Sequence, residues 1–202
     1  IQQNDSVSMG RGEFTFLNVA RQVGWPPRWD CEGVARHWNL NLHYFDFIWA
    51  LDVQSARFLV DNWIAEYPLA RGREGWESYA ISLRLVNWST FFFGVHLEAT
   101  RADDAFAQRL WQSICRQTEW LRQHLELNVG GNHLIENIAA LAVVGSCFAG
   151  DRAALWYRDS LRLLGREIPQ QVLEDGAHFA RAPMYQCRMI FVLGTLLNTD
   201  DP

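Results

Sequence analysis

From residue 45 onward, apolar side chains recur at three- and four-residue spacing, and polar breaks divide them into helical stretches. Phe45 to Glu66 carries Phe47, Leu51, Phe58 and Trp63 near one period and is stopped by Pro68. Residues 69–77 form a Gly- and Arg-rich loop. Ser78 to Ala99 carries Ile81, Leu85, Trp88, Phe92 and Val95. Asp103 can cap the next helix, which runs to about Leu127. The Gly130-Gly131 pair marks a turn, followed by a helix from about His133 to Phe148. Asp151 opens another helix that ends near Ile168, before Pro169. Residues 170–183 read as a loop, and Met184 to Leu197 reads as a last helix.

Residues 1–44 show no sustained period. Gly10, Gly12, Gly24, Pro26, Pro27 and Gly33 interrupt them, and Trp25, Trp29 and Trp38 punctuate them. The segment is expected to be irregular and to pack on a helical domain spanning 45–202. With no convincing alternation of strand type, the fold class is all-α. Long helices joined by short loops predict antiparallel hairpins. Hairpins in series curve into an α/α toroid or stack as a plain bundle, and periodicity alone leaves both open.

Composition narrows the function classes. Apolar residues make up 49 % and charged residues 20 % of 202 residues, as expected for a chain with a real core. Ten Trp and twelve Phe supply that core, and aromatic rings also pack on sugar faces. All 18 basic residues are Arg, and the net charge is −5. That balance argues against nucleic acid and leaves an anionic ligand only a local Arg pocket. No apolar run is long enough for a membrane span. The start, Ile1 to Asp5, lacks a signal-peptide pattern, and the end, Asp200-Asp201-Pro202, follows directly on a helical run. A fragment of a longer protein is expected. Cys31, Cys115, Cys147 and Cys187 have no metal-site spacing, and the two middle ones read as core residues.

Four polar clusters interrupt the apolar pattern. Asn41-Leu42-His43-Tyr44-Phe45 places His43 and Tyr44 either along a cleft or in a packed connector. Arg84, Asn87 and Trp88 share a helix face by the three- and four-residue rule, which suits an acidic sugar beside an aromatic plate. Gly130-Gly131-Asn132-His133-Leu134-Ile135-Glu136-Asn137 puts an imidazole, a carboxylate and amides at the mouth of an apolar helix. There Asn132 can cap, and His133, Glu136 and Asn137 share a face. Asp175-Gly176 leads through His178 and Arg181 to Pro183, which fits a first helical position. Tyr185 then falls in the first turn, where the positive helix end favours a phenolate. A metal at His133 and Glu136 would need a second copy of the motif, so no metal or other cofactor is expected. GxSxG is absent, which leaves serine hydrolysis weak. A two-carboxylate glycosidase has no sequence rule to find or dismiss it.

These clusters, together with Phe14-Thr15-Phe16-Leu17-Asn18, follow one another as in the heparinase II/III-like polysaccharide lyases and their alginate-lyase relatives, which this chain resembles over nearly its whole length. The resemblance implies an incomplete α/α toroid followed by a β-sandwich domain that would begin beyond Pro202. It implies β-elimination on uronic-acid glycans, heparan sulfate-like or alginate-like. Asn132 would neutralise the uronate carboxylate, His133 would lie in the cleft, and Tyr185 would act as base, acid or both. Glu136, Arg84, Asn87, Trp88, His43, Tyr44, His178 and Arg181 would contact substrate. A further catalytic His would come from the β-sandwich, leaving this part alone inactive or nearly so. A bacterial periplasmic or secreted location is expected, with the cytoplasm still open. Ala180 and Gln186 depart from the family pattern, where an acidic residue and a His are common.

The chemistry fits these residues. Removing the proton beside a uronate carboxylate builds charge on that carboxylate, which an amide donor stabilises. A tyrosine normally titrates near ten, so a tyrosine base needs neighbours that favour its anion, and His133 and Arg181 are candidates. Two other readings stand beside a lyase. One is an idle or biosynthesis-associated toroid that only binds an acidic exopolysaccharide. The other is a helical scaffold with no sugar role.

Overall fold

A computed structural model of the chain describes residues 4–70 and 73–198. The tip of the 69–77 loop and the two chain ends, including Asp200 to Pro202, lie outside the described residues. The chain divides into two compact units, Ile1–Arg116 and Gln117–Pro202, and each is taken by itself.

The first unit opens with α1 (Ser6–Gly10), capped by the Asp5 side chain on Val7 N and Ser8 N. A hairpin of β1 (Glu13–Phe16) and β2 (Val19–Gln22) follows, with Phe14 facing Arg21 and Phe16 facing Val19. Its two-residue turn, Leu17-Asn18, holds φ of 54° and 60°, the backbone hand that matches strand twist. Neither the hairpin nor the helix after it, α2 (Arg36–Tyr44), agrees with the irregular reading of 1–44. Phe14 and Phe16 do alternate inward, but every β2 residue is exposed, so no second alternating strand announces itself. In α2, Trp38, Asn39, Leu40, Leu42, His43 and Tyr44 are all buried. A helix buried nearly all round has no polar stripe to reveal its period.

Phe45 ends α2 rather than starting the next helix. It sits at φ 62°, a left-handed conformation that costs roughly 1–2 kcal/mol for a residue with a Cβ. Its fully buried ring packs on Phe47 and Trp88 at 5.2 and 5.1 Å and offsets that cost. A short 3₁₀ turn (Asp46–Ala50) leads to α3 (Val53–Glu66), capped by Asp52 on Gln54 N and Ser55 N. After a second 3₁₀ turn (Glu74–Trp76) comes α4 (Ser78–Trp88), which widens into a π-helical stretch (Ser89–Val95) before α5 (Leu97–Arg101). The single helix expected over 78–99 is therefore broken. The wider turn takes the neighbouring rings of Phe91 and Phe92 inward together, leaving them 2 % and 0 % exposed. The helix α6 (Asp104–Gln123) runs parallel to α3: Arg57 pairs with Asp103, and one turn on Asp61 takes two bonds from Arg109, at 2.9 and 2.7 Å.

The second unit is built on α7 (Gly131–Cys147), α8 (Asp151–Gln171) and α9 (Pro183–Leu197). α7 packs against both others, and its residues from Leu134 to Gly145 are buried without a break. A Cβ on Gly145, near the end of α7, would lie 2.6 Å from Tyr157 N and 2.9 Å from Ala153 O near the start of α8. The two helices form an antiparallel hairpin in backbone contact. Pro169 sits inside α8 instead of after it; only two residues from the end, it costs one hydrogen bond rather than a helix. Cys115 and Cys147 are half-buried rather than core residues. Among the described residues, no helix is long and apolar enough to cross a membrane.

Candidate active site

The first unit gathers His43, Tyr44, Arg84, Asn87 and Trp88 into one buried network. Arg84, fully buried, donates to the carbonyls of His43 and Gly75 at 2.9 and 2.8 Å, and its guanidinium stacks 4.1 Å from the Trp63 ring. Burial lowers its pKa to about 9, so it keeps its charge at neutral pH. His43 accepts from Trp63 Nε1 at Nδ1 (3.1 Å), and burial with the nearby Arg84 charge lowers its pKa to about 3. A neutral imidazole therefore sits near a charged guanidinium. Asn87 donates to Tyr44 O and Asp46 Oδ1, at 3.0 and 2.7 Å. Burial pushes the Tyr44 phenol further from ionisation.

Arg84, Asn87 and Trp88 were expected to face an acidic sugar, and His43 and Tyr44 to line a cleft or a packed connector; all five are enclosed. Trp88 and His43 are 0 % exposed, Tyr44 7 % and Asn87 8 %. The physical reason lies in the packing: the polar groups span α2, α4 and the second 3₁₀ turn, and they answer backbone carbonyls that would otherwise be orphaned. What this network presents outward is Trp49, which the sequence reading passed over. Its indole is 44 % exposed while its N–H is pinned to Asn87 Oδ1 at 2.8 Å. A half-exposed ring held by its one donor is a firm plate of the kind that meets a pyranose face. Two open hollows of about 330 and 320 Å³ elsewhere in this unit are lined around Asp30 and Arg73. Those two residues already pair at 2.6 Å.

The second unit holds the other candidates. Gly130 and Gly131 take φ of 62° and 56°, which glycine adopts freely. Through them the chain turns into α7 with no side-chain cap, so Asn132 does not cap the helix as expected. It stands half-buried in the first turn. One residue on, His133 Nδ1 lies 3.0 Å from Glu126 Oε1, and this bond holds the His133 pKa above its ordinary value. Glu136, 3 % exposed, takes Arg188 Nε at 2.8 Å. Each of that pair is the sixth residue of its helix, and Gly131 at the start of α7 lies against Phe179, just before α9; the two contacts together set α7 and α9 parallel, with their N-terminal ends on the same side.

The 172–182 segment lies at that same end. A Cβ on Gly131 would touch Phe179 Cζ at 3.9 Å. The Phe179 ring lies tilted against His178 at 4.7 Å, and His178 lies tilted against Tyr185 at 6.1 Å. His178 was expected to touch substrate but is 2 % exposed and anchors its own loop. Its Nδ1 accepts from Ala180 N at 3.3 Å while Nε2 faces Gln171 Oε1 at 3.4 Å. That pattern fits the neutral ring with its proton on Nε2, and burial lowers its pKa. Gln186, the departure from the family pattern, accepts from His178 N at 2.6 Å and steadies the same loop. Arg181 is exposed at φ 52°, a strain of roughly 1–3 kcal/mol that the loop sustains. Tyr185 is half-buried in the first turn of α9, two residues after Pro183 at the helix start.

The sequence reading missed Glu126 and Arg188. Glu126 lies before the glycine turn, outside any helical period with His133. Arg188 is three residues past Tyr185 on a helix, the one spacing that could have linked them. Among the described residues, no group of three or more His, Cys, Asp or Glu has the geometry to hold a metal ion.

Comparison with known proteins fits this architecture. Residues 51–201 match the family model described as Heparinase II/III N-terminus. Heparan sulfate lyase HepC from Pedobacter heparinus superposes with a TM-score of 0.77 at 19 % identity, over 96 % of this chain and 33 % of that one. A heparinase III gene product with methylated lysines superposes with a TM-score of 0.77 at 18 % identity, over 96 % and 35 %. A further heparinase III gives 0.73 at 18 % identity, over 89 % and 30 %. No curated protein sequence matches. At these identities the likeness is one of fold, that of the helical toroid domain, and the chain spans about a third of the length of these structures. With three quarters of its residues under the family model, the chain belongs to the heparinase II/III family.

Proposed function

We propose that this chain is the helical part of a polysaccharide lyase that cleaves uronic-acid glycans, heparan sulfate-like or alginate-like, by β-elimination. The observation that carries the reading is the start of α7, where Asn132 and a carboxylate-paired His133 stand at the same end of the unit as the first turn of α9 with Tyr185. In this reading the Asn132 amide and the His133 imidazolium neutralise the uronate carboxylate as charge builds on it. Tyr185 takes the C5 proton; the C5–H electrons form the C4=C5 double bond, the C4–O bond breaks, and the leaving oxygen takes up a proton. Arg181, exposed beside Tyr185 in sequence, contacts the acidic chain. Glu136 acts at one remove, because its carboxylate is committed to Arg188. A β-sandwich domain beyond Pro202 supplies the remaining wall and a further catalytic His. A polymeric substrate places the complete protein in the periplasm or outside the cell, which fractionation of producing cells tests.

Tyr185→Phe in the complete protein tests the assignment. It removes one oxygen and leaves the ring packing in place. Loss of at least about a hundredfold in kcat is expected from removing a general acid–base group. Full activity in the variant would take Tyr185 out of the reaction.

A further inference from the structure

The glutamate that the sequence reading overlooked holds a defined geometry. The Glu126 main-chain N–H donates to Asn137 Oδ1 at 2.9 Å, and Asn137 Nδ2 donates back to Glu126 Oε2 at 3.0 Å. Asn137 is 0 % exposed, so this reciprocal clamp is anchored inside α7. It fixes one carboxylate oxygen and aims the other, Oε1, at His133 Nδ1, 3.0 Å away.

Resting on the lyase reading above, we propose that Glu126 is the positioning residue of His133: it fixes the ring at the start of α7 and makes Nε2 the nitrogen whose proton comes and goes, so that His133 meets the uronate carboxylate as an imidazolium. An ionised carboxylate offers only lone pairs. Nδ1 must therefore carry a proton in both charge states of the ring, and titration falls to Nε2. The need for such a partner follows from position. His133 lies in the first turn of α7, where the positive end of the helix disfavours a second positive charge. Partial burial disfavours it as well. The charged groups facing the ring are Glu126 from the preceding turn and Glu136 from its own helix, the latter paired with Arg188 of α9. With Glu136 already answered, Glu126 is the carboxylate left to hold the imidazolium. It acts through His133 and touches no reacting atom.

The test is a nitrogen NMR titration of His133 in the complete protein labelled at histidine, with and without Glu126→Gln. In the unaltered protein the neutral ring should carry its proton on Nδ1 and titrate above the ordinary histidine value. In the variant the midpoint should fall towards the ordinary histidine value and the Nδ1–H preference should be lost. The alkaline limb of kcat/KM on a polyuronide should move down by the same amount. Glu126→Asp keeps a carboxylate on a shorter arm and should restore part of the shift; it serves as well if the Gln variant fails to fold. A His133 midpoint and tautomer unchanged in Glu126→Gln overturn the proposal. An unaltered protein that yields no unsaturated uronate from any polyuronide overturns the lyase reading instead, and the titration still decides whether Glu126 governs His133.

Discussion

Arg84 shows how a residue type that suits a ligand can serve the core. Its fork spans two backbone carbonyls from different segments and stacks on Trp63. Arg84→Met fills much of the volume and leaves the His43 and Gly75 carbonyls unpaired. It should cost about 2–4 kcal/mol at the usual price of orphaned buried groups, read by denaturant unfolding. Arg84→Lys should recover little, since an ammonium has no planar fork. His43 sets a pH dependence in the same unit. Its folded pKa is lowered to about 3, so below the ordinary histidine value near 6.5 the unfolded chain binds the extra proton. Stability should fall as pH drops from about 6.5 to 5, before most carboxylates titrate. His43→Asn should flatten that slope in denaturant titrations followed by Trp fluorescence. His133 has the opposite sign: its raised pKa stabilises below the unfolded value, and the gain is lost as pH rises through the folded one. At this scale the sequence revealed which residues were polar in apolar company. It could not tell a buried Arg84 from an exposed Arg181, because burial is set by segments distant in sequence.

Elements were legible where one face was polar. The starts of α8 and α9 and the general course from Asp103 onward follow the expected pattern, since each helix there keeps a periodic stripe or a clear Gly or Pro boundary. α2 escaped because burial on several faces erases the stripe, and the π-helical stretch because its wider turn takes Phe91 and Phe92 inward together. The hairpin escaped because only Phe14 and Phe16 alternate. Two contacts between elements carry predictions. Glu136 is 3 % exposed, so Arg188→Met should strand its charge and cost about 3–5 kcal/mol. In a double-mutant cycle, Glu136→Gln should relieve part of that loss, with a coupling of about 1–3 kcal/mol. Additive effects would mean that the pair does not join α7 to α9. Gly145→Ala places a methyl against the backbone of α8. The helices must part, at a cost of about 1–3 kcal/mol typical of overpacking, measurable as a lower midpoint of thermal unfolding.

For the whole molecule, the helical class and the family were both readable. The family showed because five short stretches kept their order and residue types, although identity to the solved heparinases is only 18–19 %. Of the proposed site, Asn132, His133 and Tyr185 could be named from the sequence because each falls at a predicted helix start, while Glu126 and Arg188 become visible only once α7 and α9 are packed. The central claim is lyase chemistry on acidic glycans. Its most direct measurement is the ultraviolet absorbance of unsaturated uronates, with the complete protein on heparan sulfate, alginate and hyaluronan in parallel. The account predicts a steady rise on at least one of them, abolished by Tyr185→Phe. A flat trace on all three from a folded, complete protein would contradict it and favour a glycan-binding or biosynthetic role.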